Sequence, residues 1–141
     1  MSGLTTVAVG CARADERALD NASHLESNAM ASLVISQIYG AGGNNGATYK
    51  NDYIEIFNAG TVAVDIGGWS VQYASSAGSS WQVTGIPGGT QLKAGQYLLI
   101  RQQAGAGGTV DVVGDVNGNI PMSATAGKVA LVRDRKSTRL N

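Results

Sequence analysis

The stretch Asp52 to Asn58, DYIEIFN, alternates strictly: Tyr53, Glu55 and Phe57 fall on one side of an extended chain, and Ile54 and Ile56 on the other. A helix needs apolar positions every three or four residues, so this segment reads as a strand with one buried face. The same grammar recurs along the chain. LVISQIY (33–39), TVAVDI (61–66), WSVQYAS (69–75), SSWQVT (79–84), GTQLK (89–93), GQYLLIRQ (95–102), TVDVVG (109–114) and GKVALVR (127–133) are short, rich in β-branched or aromatic residues, and bounded by glycine. Pro87 and Pro121 lie outside these runs, as the missing N–H of proline requires. Strands at such short spacing with no helical interludes predict an all-β, antiparallel sandwich or barrel.

With 141 residues the chain is the length of one domain, and its 20 glycines supply turns rather than helices. Ten basic and ten acidic side chains cancel, so the broad basic footprint of a nucleic-acid or anionic-membrane binder is missing. The basic residues that do cluster, Arg133, Arg135, Lys136 and Arg139, sit in the last nine positions, of which 135–141 read as a solvated tail. No apolar run has the length of a membrane span.

Cys11 and His24 are the sole cysteine and histidine, and both precede the alternating region. An internal disulfide is therefore impossible, and a zinc site of Cys and His lacks ligands. Residues 1–30 read as a leader. LTTVAVGCARA offers a small-residue cleavage site at Ala12-Arg13-Ala14 and a loose lipid-attachment box at Cys11, but the basic start and long apolar region of an export signal are missing. An unstructured leader with a natural start at Met30 is the preferred alternative, followed by a sandwich over 31–134.

Chemistry finds few candidates. The glycine-rich segment Gly40 to Gly46 follows a strand but leads into another strand, not into a helix N-terminus, and Asn45 breaks the G-x-G-x-x-G spacing. It reads as a flexible connection in which Gly and Asn supply positive φ. Serine-type hydrolysis lacks a base, because His24 stands in the leader. Asp52 and Glu55 are offset by three, which on a strand puts them on opposite faces. Asp115, Asn117 and Asn119 keep part of a calcium-loop spacing, but Ile120 replaces its glycine and Ala126 its closing glutamate, so a turn is the better reading. Trp69, Val71 and Tyr73 share one face and are expected in the core, whereas Trp81, flanked by serines, is the candidate surface contact. No cofactor is expected.

NDYIEIFNAG, GGWSVQYAS, LKAGQYLLI, AGAGG and SATAGKVALV together resemble, in order and spacing, a lamin tail domain of the type found in bacterial exported proteins. The resemblance spans about Leu33 to Val132 and implies an immunoglobulin-like antiparallel β-sandwich. Asn58 and Gly60 resemble the family's turn after its central strand, Gly68 and Trp69 its Gly-Trp corner, and Lys93 with Gly95 the turn into the next strand; all are fold residues. The family brings no catalytic motif. The resemblance implies a non-enzymatic, extracellular or cell-surface module that binds a protein or surface ligand, often beside nucleases or phosphatases. Alternatives are a self-assembly element and an accessory nucleic-acid-binding module, although nucleic acid is the less expected partner. After KVALV the alternation stops, so the last strand is expected to be missing or replaced, leaving an edge open to association with a second copy.

Overall fold

A computed structural model describes residues 32–133. The leader, with Cys11 and His24, and the basic tail lie outside the described residues, as does the expected loss of a last strand. Nine strands follow one another: β1 (Leu33–Tyr39), β2 (Asn51–Asn58), β3 (Val64–Asp65), β4 (Ser70–Ala74), β5 (Gln82–Gly85), β6 (Gln91–Leu92), β7 (Tyr97–Ala104), β8 (Val116–Asn117) and β9 (Lys128–Val132). They form a four-stranded sheet of order β1-β2-β7-β8, a three-stranded sheet of order β5-β4-β9, and a small β3-β6 pair. The architecture is all-β and immunoglobulin-like.

Alternation decides which side of each sheet faces inward. Ile54 and Ile56 of β2 meet Ile100 and Leu98 of β7 in register, and all four are buried. From the second sheet, Val71 and Tyr73 of β4 are buried too, with Leu131 and Val129 of β9 opposite them. Withdrawing each large aliphatic side chain from water contributes about 1.5–3 kcal/mol, so these inner rows dominate the fold's stability. A polar contact also joins the layers: Thr84 of β5 donates its hydroxyl to Gln102 Oε1 of β7 at 3.0 Å, and the same oxygen accepts Ile120 N–H at 3.0 Å. Both side chains are buried, and the pairing satisfies oxygens that would otherwise be costly.

Three features depart from the sequence expectations. Pairing is not wholly antiparallel, because β8 runs parallel to β7 through Ile100↔Val116 and Arg101↔Asn117. TVDVVG is not a strand: its backbone is spent elsewhere, with Val110 accepting Lys50 N–H, and Gly114 packed so tightly on Arg101 that an added Cβ would lie 2.7 Å from the Arg101 Cβ. Nor is Gly40 to Gly46 a loose connection. An added Cβ on Gly43 would lie 2.1 Å from Gly105 Cα, and Gly107 N–H donates to Gly43 O at 2.7 Å, so the two glycine-rich segments interlock. Positive φ there belongs to Gly43 and Gly46, not to the asparagines.

Candidate functional site

The side of β1, β2 and β7 that faces away from the core carries three cross-strand rows. Register places Tyr39, Tyr53 and Arg101 in the first, Gln37, Glu55 and Leu99 in the second, and Val34, Phe57 and Tyr97 in the third. A bulge in β1 between Ile35 and Gln37 shifts Ser36 so that its hydroxyl donates to Glu55 Oε1 at 2.8 Å. Aromatic rings thus flank a polar middle row.

Those rings stack on one another. Tyr39 and Tyr53 lie 5.2 Å apart with planes 20° from parallel, and Phe57 and Tyr97 lie 4.4 Å apart at 28°. Neighbouring strands are about 4.8 Å apart, so rings stacked across them stand on edge above the sheet and present rims rather than faces. Tyr49, from the loop before β2, meets both Tyr39 and Tyr53 edge to face, at 5.6 and 6.1 Å. Burial first, then Tyr49, Glu55 and Tyr39, holds the Tyr53 phenol pKa above its ordinary value.

Between the middle row and the loops beside it opens a cleft of about 240 Å³, lined by Gln37, Glu55 and Leu99 on one side and by Tyr49, Tyr53 and the Asp111–Val113 segment on the other. Lys50 pairs with Asp111 at 3.4 Å at its rim, both side chains well exposed.

The residues singled out in the sequence lie elsewhere. Asn58 is fully buried: its amide donates to Val62 O and Leu92 O at 2.9 Å each, and its Oδ1 accepts Gly60 N–H at 3.0 Å. Gly95, at φ +73°, donates its N–H to Asn58 O at 2.8 Å, and Lys93 N–H is held by Gln96 Oε1. Asn58, Gly60, Lys93 and Gly95 therefore meet at one end of β2. Gly68 and Trp69 form a separate corner, where Gly68 at φ +82° donates to Ile86 O and Ile86 donates back to Trp69 O. Trp69 is 7% exposed and Trp81 43%, with Lys128 Nζ 5.7 Å from the Trp81 ring centre.

The carboxylates divide as the offset predicts. Glu55 faces outward, while Asp52 is buried and accepts Gly42 N–H and Met122 N–H at 2.8 Å each. Burial pushes its pKa up, and the two N–H donors oppose that shift. Asp115 accepts Leu99 N–H at 2.8 Å and so ties the turn before β8 to β7. The tyrosine cluster was missed in the sequence, although Tyr39, Tyr49 and Tyr53 lie within fifteen positions and two of them sit on outward faces of adjacent strands.

Among the described residues, no helix is long and apolar enough to cross a membrane. No curated protein gives a significant match. The profile of the Lamin Tail Domain, a non-enzymatic immunoglobulin-like family, matches residues 26–139. With a match over most of its length and an all-β architecture to accompany it, the chain belongs to the lamin tail domain family.

Proposed function

We propose that the chain is a non-catalytic binding or targeting module of a larger, exported bacterial protein, working outside the cell or at its surface beside a nuclease or phosphatase. The observation that carries this reading is the outward aromatic face of the four-stranded sheet. Tyr97 is 54% exposed there, with Val34 exposed in the same row and Tyr49 exposed against the row of Tyr39 and Tyr53. Aromatic residues that hold their positions by stacking offer a partner large contact area at little cost in side-chain entropy. Asp52 and Asp115, meanwhile, are committed to holding the fold: Asp52 ties two loops and Asp115 ties a turn.

Two experiments test the reading. A secreted reporter enzyme fused to the chain is expected to be retained on intact cells of the chain's own source, whereas the reporter alone washes off; equal loss of both overturns it. The purified chain is expected to leave DNA and phosphate esters intact, and cleavage that requires Asp52 or Glu55 also overturns it.

Self-assembly is the second reading, favoured by β1, a seven-residue strand at a sheet edge with Ile38 exposed. The bulge at Ser36 works against it, because a shifted edge pairs poorly with a new strand. Light scattering over a concentration series separates the readings: a strict monomer removes assembly.

A further inference from the structure

The cleft beside Tyr49 and Tyr53 selects its ligand by chemistry, an inference that rests on the binding role proposed above. We propose that it receives one lysine or arginine side chain from a protein partner. Its volume, about 240 Å³, falls below the range of roughly 300–1,000 Å³ that drug-sized ligands and cofactors occupy, and suits a single long side chain.

The polar groups around it are chiefly acceptors. Glu55 commits Oε1 to the Ser36 hydroxyl, and its Oε2 has no hydrogen-bond partner among the described residues. Asp111 stands at the opposite wall with a side chain 71% exposed, both its oxygens 3.4 Å from Lys50 Nζ in a solvent-screened pair that an incoming cation can share. A cationic head between them gains charge-assisted hydrogen bonds, and its alkyl stem covers Leu99 and the tyrosine rims. Arg101 is the nearby cation of β7, but it lies in the next row against the Gly114 backbone and does not line the cleft.

The same geometry turns away other ligands. A sugar needs an open aromatic face to stack on, and here Tyr39 and Tyr53 each spend one face on the other while Tyr49 packs edge to face against both. A phosphate meets two carboxylates, and the rim cation Lys50 is already paired with Asp111.

The test is a nuclear magnetic resonance titration of the isotope-labelled chain with Nα-acetyl-arginine amide and Nα-acetyl-lysine amide at low salt, with Nα-acetyl-glutamine amide as the neutral comparison. The cationic probes are expected to shift the amide signals of Tyr53, Glu55 and Val112 with dissociation constants of the order of 1 mM, the range for a single side-chain contact. Glu55→Gln and Asp111→Asn should each weaken binding about three- to tenfold, and Val83→Thr, exposed on β5 of the other sheet, should leave it unchanged. The inference is overturned if the glutamine probe shifts the same signals as strongly, if no probe shifts them, or if both charge variants bind as well as the parent. These outcomes do not bear on retention of the reporter fusion, so the cleft's selectivity and the broader binding role fail separately.

Discussion

The Asp52 carboxylate accepts the backbone N–H of Met122 at 2.8 Å, joining β2 to a loop seventy residues away. Its other oxygen holds Gly42, so one buried side chain ties both glycine-rich and proline-containing loops to the end of the sheet. Burial raises its pKa above the ordinary 3.8, despite two opposing hydrogen bonds. A carboxyl with a raised folded pKa contributes stability that is fully present below pH 3.8 and is lost as pH rises through the folded value. Urea midpoints measured upward from pH 3.5 should therefore fall in the parent relative to Asp52→Asn. A parent that gains on the variant as pH rises contradicts this.

Asn58 satisfies three backbone groups at once, two carbonyls and the Gly60 N–H. Asn58→Ala leaves all three without that partner, the Leu92 carbonyl in a buried contact and the other two in part-buried ones, at a cost of about 2–4 kcal/mol, since an unsatisfied buried group costs about 1–3 kcal/mol and the part-buried ones less. Urea denaturation measures it. A loss below about 1 kcal/mol would mean that water reaches the pocket and replaces the amide.

The glycines of the loop before β2 are unequal. Gly43 and Gly46 both have positive φ, but an added Cβ at Gly43 meets the Gly105 backbone, whereas at Gly46 nothing lies within 4 Å. Gly46→Ala should cost about 1–2 kcal/mol, the strain of left-handed backbone alone. Gly43→Ala adds the separation of two packed segments and should cost clearly more, as thermal melts of the two variants side by side will show.

The two tryptophans separate in the same way. Trp69→Ala opens a void in the core and should cost about 3–5 kcal/mol. Trp81→Ala removes an exposed ring and a single contact with Lys128 and should stay within about 1 kcal/mol in the same denaturation series.

Period-two alternation made β2, β4 and β7 readable, because burial on one face leaves that record in the residue types themselves. It also placed Trp69, Val71 and Tyr73 inward together. Where backbone contacts decide instead of side chains, the pattern is silent. Asn51 and Asp52 are consecutive and both buried, since the ladder with β7 shifts register between Asn51 and Tyr53. Likewise TVDVVG has strand-like composition, yet its carbonyls and N–H groups are engaged by the loop before β2. The candidate site was hidden for another reason: Glu55 looked like an isolated outward carboxylate, and only the pairing of β1, β2 and β7 brings Gln37, Leu99 and the tyrosines around it.

Retention of the reporter fusion, compared between the parent and a variant carrying Tyr53→Ser with Tyr97→Ser, tests the outward face most directly. Circular dichroism melts run alongside verify that the variant remains folded. The face is predicted to carry the binding, so the folded variant should wash from the cells like the reporter alone. Undiminished retention of that variant would contradict the account.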